Sequence, residues 1–468
     1  MKSKNTKRDK ELSADIVIVG GGGAGLAAAL TAVEQGVKSI IILEKRAALG
    51  GNTALATGLF ACESPAQARE KIVADKDELF KRAMKWAHYD RINPRIVRAF
   101  INRSGDTIRW LEQMGLEFNI IPFLPNQHPR IWHCPKGRGA RLTQLLAEKC
   151  RIFEVKVLLK CGGKKILRNK MGRIVGVKAE NEGQSLEIKT RSVIITTGGF
   201  GANKKLLKKY CPPYYEGLTL RGLRLTGDGL IMAEEAGAAL DDLVTLLKEG
   251  PRVNPDTWPL MGLERSPITV WVNKTGQRFV DEAIGDYPFE SVNAVLLQPD
   301  KGCYALLDDD IRKKYEESKS DLKEAIQKEA QKDNMIISDS WDEIAQWIGA
   351  NPRILRKTVE EYNVFCGQGY DENFAKDRRH LMPLHTAPFY AVRSQPVFLD
   401  TLGGIKINEH MAVLDVRGEP IPGLYAAGVA VSGWMGDTYC GELSGSAFGF
   451  AVNSGRIAGE NVARYLKS

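Results

Sequence analysis

ADIVIVGGGGAGLAAALTAVEQGVKSIIILEK, residues 14 to 45, decides the fold. The run Ile16 to Val19 is apolar and β-branched, and it feeds directly into Gly20, Gly22 and Gly25, the G-x-G-x-x-G spacing. An alanine-rich helical stretch follows, then a second apolar run, Ser39 to Leu43, ending on Glu44 and Lys45. Strand, glycine turn, helix and strand in that order begin a Rossmann-like unit. Gly20 permits the tight turn, Gly22 lets backbone approach a pyrophosphate, and Gly25 lets helix pack on strand. The helix start, Gly23 and Ala24, turns unpaired N–H groups and a positive dipole end toward phosphates. Glu44 lies 19 residues beyond Gly25, the distance at which a carboxylate accepts hydrogen bonds from an adenosine ribose. An acid there argues against a 2′-phosphate, which an Arg would be needed to accommodate.

Further islands follow along the chain. RAALGGNTALATG (Arg46 to Gly58) puts small residues and hydroxyls, Gly51, Asn52, Thr53, Thr57 and Gly58, where a loop can press on a flat ring. SVIITTGGF (Ser192 to Phe200) and IPGLYAAGVA (Ile421 to Ala430) each read as an apolar strand ending on glycine, at Gly198 and Gly428, and TGDG spans Thr226 to Gly229. Loops at the carboxyl ends of strands are where open α/β sheets bind ligands.

Taken together, GGNT…ATG, TTGG, TGDG, GQRFVDE, TLGGIKIN, GLYAAG and GRIAGE, in that order, resemble the FAD-binding flavoproteins of the fumarate reductase and succinate dehydrogenase type. That group includes 3-ketosteroid dehydrogenases. The resemblance runs from about residue 14 to 465 and implies an α/β fold: a Rossmann-like FAD-binding domain with an inserted α+β capping domain. Residues 1–13 are then a tail, 14–245 and 400–468 the two parts of the FAD-binding domain, and 246–399 the capping domain. By the same resemblance the adenosine lies on Glu44, the pyrophosphate over Gly22 to Gly25, and the flavin near Asn52, Thr53 and the last helix, with Lys45, Thr197, Gly198, Asp228 and Gly428 as further cofactor neighbours. That helix is expected from Gly445-Ser446 to about Tyr465; its start, with Ser446 and Ala447, would stabilise negative charge on the flavin pyrimidine. Covalently flavinylated members carry a histidine just after the glycine pair. Asn52-Thr53 stand there instead, so non-covalent FAD is expected. An insertion into one domain also makes a cleft, and domain interfaces favour small-molecule sites.

Composition narrows the function further. The 468 residues are 43% apolar, ordinary for a globular chain. The first 13 residues are charged and polar rather than a secretory signal, and the glycine-broken run after them reads as a buried βα unit, not a transmembrane segment. Eight scattered cysteines form no C-x-x-C, which suits a reduced, cytoplasmic compartment. The net charge of +9 comes from lysines and arginines interleaved with acids, with no nucleic-acid-binding module. His128 and His133, in a Pro-rich loop, lack the further ligands a metal site needs, so no metal is expected.

Fumarate reductases hold their dicarboxylate with two histidines and two arginines, and this chain departs at each. Asp400 replaces the histidine before T-x-G-G, and Glu249-Gly250 stand at the other. Thr438-Tyr439-Cys440 and Gly285 to Tyr287 stand where the arginines are expected. Losing such charge-assisted contacts, about 1.5–3 kcal/mol each, excludes that clamp. What remains is similar to the ketosteroid dehydrogenase branch, which uses tyrosines in corresponding segments. Tyr439 is the expected polariser of a substrate carbonyl, and Tyr287 the candidate for proton transfer; Asp400 and Glu442 are alternative acid–base groups.

The leading expectation is thus an FAD-dependent oxidoreductase acting on a CH–CH bond beside a carbonyl, with a small-molecule carbonyl substrate and a separate electron donor or acceptor. One alternative is a reductase of an unsaturated carboxylate, clamped by Arg221, Arg224, Arg252 or Arg265. Another is an electron-transfer subunit that holds FAD without a substrate.

Overall fold

The computed structural model describes residues 12–253, 260–317 and 321–468. It divides into two units: residues 1–215, 222–247 and 400–468 form the first, residues 216–221 and 248–399 the second. Of the tail expected at residues 1–13, residues 1–11 lie outside the described part. Leu12 and Ser13 are not tail: they begin the first strand, pairing with Ile188 and Lys189.

In the first unit, strand Leu12–Val19 lies between Ile40–Leu43 and Gln184–Ile195, parallel to both. Lys156–Leu158 extends the sheet beyond Ile40–Leu43, and Pro420–Ala426 extends it beyond Gln184–Ile195, again in parallel. Ile16, Val17 and Ile18 are fully buried. Parallel strands covered on both faces need this unbroken apolar texture, and each such side chain contributes about 1.5–3 kcal/mol. Three antiparallel strands, Cys161–Arg168, Ile174–Asn181 and Gln184–Ile195, form a meander.

Helix Gly23–Glu34 covers this sheet and packs against the last helix, Ser446–Lys467. Small residues allow the close approach. A Cβ on Gly455 would collide with the carbonyl of Ala24, and one on Gly459 with that of Ala28. Residues four apart share a helix face, so GRIAGE is the face that sets the last helix against the dinucleotide helix.

The second unit is α+β. Phe389–Leu399, the first part of strand Phe389–Leu402, pairs antiparallel with Cys303–Leu307 and Met335–Ser338, and Val270–Val272 pairs with Cys303–Leu307. Residues 341–368 form two helices, Trp341–Ile348 and Pro352–Gln368. Gly349 ends the first in the left-handed conformation, and Asn351 caps the second ahead of Pro352. Arg278, Glu282, Asp371 and Lys376 form a buried ionic cluster here. Arg278 grips Glu282 at 3.0 Å and Asp371 at 2.9 Å, and Lys376 lies 2.9 Å from Glu282.

Candidate functional site

Gly20 adopts φ +113°, a backbone region that only glycine enters freely, and its N–H donates to the Leu43 carbonyl. This turns the chain from the first strand into its helix. At Gly22 a Cβ would meet nothing nearer than ordinary van der Waals contact, the Gly50 and Gly51 backbone at 3.9 Å. Gly25, by contrast, is pressed against the Gly20 carbonyl. No side chain caps the helix start, so its N–H groups are open to an anion. Glu44 is buried at the end of its strand; it accepts the Gly21 N–H at 2.9 Å and the Arg46 N–H at 2.8 Å, and each oxygen retains a further lone pair. Lys45 turns elsewhere: its ammonium donates to Thr226 at 2.7 Å and Asp228 at 2.9 Å, tying TGDG to the second strand. Burial would raise the Asp228 pKa, but Lys45 and Thr226 outweigh it and hold the carboxyl below its usual value.

The GGNT segment is a short 3-10 helix, Gly51–Leu55, laid along the glycine turn. Gly51 approaches Gly22, and Thr53 covers Gly23. Asn52 is fixed on both sides: its Oδ1 accepts the Leu223 N–H at 2.8 Å, and its Nδ2 donates to Asp400 at 2.7 Å. Thr57 follows, half-buried, and Gly58 packs against Trp132 and Gly445. From the next island, Thr196 donates to the Gly20 carbonyl at 2.7 Å. Thr197 has a buried hydroxyl with no hydrogen-bond partner among the described residues, and Gly198 and Gly199 lie beside Asp400. Gly428 packs on Ala24 and donates to Ser454 at 2.9 Å.

Gly445 precedes the last helix with φ +82°. Ser446 bonds the Leu443 carbonyl, and the Ala447 N–H donates to the Tyr439 hydroxyl at 3.2 Å. Burial pushes the Tyr439 hydroxyl up to about 12 against the opposing effect of that N–H, so it stays protonated at neutral pH. Gln127 joins the Pro-rich loop to this segment, donating to Ser444 at 2.8 Å. Trp434 is core, stacked on Phe450 at 4.5 Å. His133 is buried against Ser64 and pushed down to about 4, so it stays neutral. Among the described residues no group of His, Cys, Asp or Glu is arranged to hold a metal.

Asp400 stands apart. It is buried, accepts among the described residues only the Asn52 amide and the Thr401 N–H at 2.9 Å, and burial pushes its carboxyl up to about 7.

In the second unit, Tyr287 is half-buried immediately before helix Pro288–Leu296. Three of the four candidate arginines gather there. Arg221 pairs with Glu249 at 3.0 Å, and Arg252 pairs with the same carboxylate. Burial, reinforced by Arg265 and Arg221, pushes Arg252 down to about 9. The Nε and Nη1 groups of both Arg252 and Arg265 have no hydrogen-bond partner among the described residues. Arg224 is exposed in the first unit.

The family model described as "FAD binding domain" matches residues 15–445. The chain belongs to this FAD binding domain family. It is 29% identical to a vinyl phenol reductase of Lactiplantibacillus plantarum, over 97% of each chain. A flavocytochrome c3 fumarate reductase in an open conformation superposes with a TM-score of 0.80 at 25% identity, over 98% of this chain and 79% of that one. A 3-ketosteroid-Δ4-(5α)-dehydrogenase of Rhodococcus jostii RHA1 shares the fold, with a TM-score of 0.73 at 22% identity over 99% of each chain.

The cofactor of this family member is FAD, and the chain is an FAD-dependent oxidoreductase. Its own residues fit the group: the side-chain-free backbone at Gly22, the uncapped helix start and the Thr197 hydroxyl, without a partner among the described residues, are what a diphosphate-linked cofactor would engage. Sequence reasoning missed Thr196, Gln127 and Ser444. It read Asp400 as an alternative acid–base group without seeing that its partners are neutral, because nothing in TLGG announces a carboxyl without a cation.

Proposed function

We propose that this protein exchanges a hydride with a carbon–carbon bond conjugated to a carbonyl, as an ene-reductase or the corresponding dehydrogenase. One observation carries the reading: a buried tyrosine hydroxyl sits at the start of the last helix, where it accepts the Ala447 N–H and burial holds its pKa up at about 12. A donor polarised in this way stabilises the oxyanion that forms when the carbonyl enolises. FAD, when bound, supplies the hydride acceptor or donor. Tyr439 then orients and polarises the carbonyl oxygen, and Tyr287 holds the proton exchanged at the α carbon. Gly22 to Gly25, Glu44 and Thr197 would hold the diphosphate and adenosine, and Asn52, Thr53, Ser446 and Ala447 the flavin. With Asn52-Thr53 after the glycine pair, that attachment is non-covalent, and acid precipitation should release all of the FAD.

A second reading, reduction of an unsaturated carboxylate, is favoured by one feature. Arg252, which is buried, and Arg265 keep Nε and Nη1 groups without a hydrogen-bond partner among the described residues, and these would suit a carboxylate. Anaerobic titration separates the two. Protein reduced with dithionite is mixed with a cyclic enone, a steroid enone and an acyclic enoate, and re-oxidation is followed in the flavin spectrum. Oxidation by the enones alone supports the carbonyl reading; oxidation by the enoate alone supports the carboxylate reading and overturns the first.

Electrons come from or go to a separate carrier. No helix among the described residues is long and apolar enough to cross a membrane. With all eight cysteines free and none in a disulfide, a reduced cytoplasmic location suits the chain.

A further inference from the structure

We propose that the carboxyl of Asp400 is the proton-holding group of the flavin site, acting on the isoalloxazine as a positioning residue through the side-chain amide of Asn52. This rests on the reading that Asn52 lies at the flavin. The geometry is specific. Asp400 Oδ2 accepts Asn52 Nδ2 at 2.7 Å, and Oδ1 accepts the Thr401 N–H at 2.9 Å. The Leu223 N–H fixes the other end of the Asn52 amide. The amide can therefore neither flip nor leave without breaking a bond, and one Nδ2 hydrogen remains for a ligand. The carboxyl fits only because residue 199 is glycine, since a Cβ there would collide with Oδ1.

Among the described residues no cation is placed to keep this carboxyl ionised. Around it stand Gly51–Leu55, the loop 196–200, residues 223–225 and Thr401, whose one charged side chain, Arg224, is exposed. Burial is the main influence on the carboxyl and no ionised group contributes. A buried carboxyl with only neutral partners takes up a proton readily when negative charge arrives nearby. Two-electron reduction of the flavin brings such charge. The electrons come from an external donor and the proton from bulk water; only the O–H bond of Asp400 forms, and it breaks again when the electrons leave. The Asn52 amide carries the change, because its bond to the carboxyl is charge-assisted only while Asp400 is ionised.

The test is the pH dependence of the flavin midpoint potential, measured by spectroelectrochemistry on the FAD-loaded protein and on Asp400→Asn. Above about pH 7 the wild type should take up one more proton per two electrons than the variant; equal slopes would overturn the proposal. Asparagine must set a donor against either Asn52 or Thr401, so the variant could fail to fold. Infrared spectroscopy of the wild type covers that outcome: without FAD a protonated-carboxyl band should titrate near pH 7, and with FAD at higher pH it should grow on reduction. A band missing from both overturns the proposal. Asn52→Ala separates the two ideas. The band should still titrate in the FAD-free variant while the extra proton uptake is lost. An unchanged flavin spectrum and potential in that variant would instead remove Asn52 from the flavin, and the underlying reading with it.

Discussion

Two buried carboxylates, Glu282 in the second unit and Asp400 in the first, have opposite fates. Burial would push both pKa values up. At Glu282 the Lys376 ammonium and the Arg278 guanidinium outweigh burial and hold the carboxyl below its usual range. At Asp400 only an amide and a backbone N–H oppose burial, and the carboxyl is left at about 7. Paired charge of the first kind is permanent and structural. A carboxyl of the second kind changes state at working pH, and such groups gather at functional sites.

The sharpest way to break this contrast is to neutralise the structural partner. Glu282→Gln leaves Arg278 and Lys376 buried without their shared anion and should cost about 3–5 kcal/mol of stability. An unchanged denaturant midpoint would contradict the structural role. Asp400 should respond in the opposite sense. Its pKa is higher folded than unfolded, so the fold binds the proton more tightly. Stability is then fullest below about pH 4 and declines as pH rises to about 7, by up to about 4 kcal/mol. Melting curves of wild type and Asp400→Asn should therefore diverge between pH 4 and 7; parallel curves would refute the assignment.

Tyr439→Phe addresses chemistry rather than stability. Turnover should fall on the order of 10² or more with FAD retained, and wild-type rates would remove Tyr439 from the mechanism. The smallest effect is at Gly22→Ala. The space there accepts a methyl group, so the FAD-free protein should melt unchanged while FAD affinity drops about tenfold, or about 1.4 kcal/mol. Equal loss of stability and affinity would mean that the residue serves packing alone.

The readable parts of this molecule were those written locally. Ile16 to Gly25 and Glu44 carry the turn, the helix start and the ribose acid within one βα unit. Asp400 was visible as a departure from family pattern. Its chemistry was not, because that comes from Asn52, 348 positions away, and from the absence of a cation. Lys45 and Asp228 were both read as cofactor neighbours, yet they bond each other, 183 positions apart. Leu12 and Ser13 read as tail because their strand partners lie in the distant segment Ile188–Lys189. The gathering of Arg221, Arg252 and Arg265 likewise depends on tertiary packing that no local pattern records.

The most direct measurement is isotope transfer from the flavin. FAD-loaded protein reduced in D2O, where flavin N5 carries deuterium by exchange, should be mixed in the same solvent, without oxygen, with an α,β-unsaturated carbonyl compound that re-oxidises it. One deuterium per flavin at the β carbon of the product is the predicted result. A flavin that stays reduced with every conjugated substrate offered, or a product free of deuterium, would contradict hydride exchange at this site.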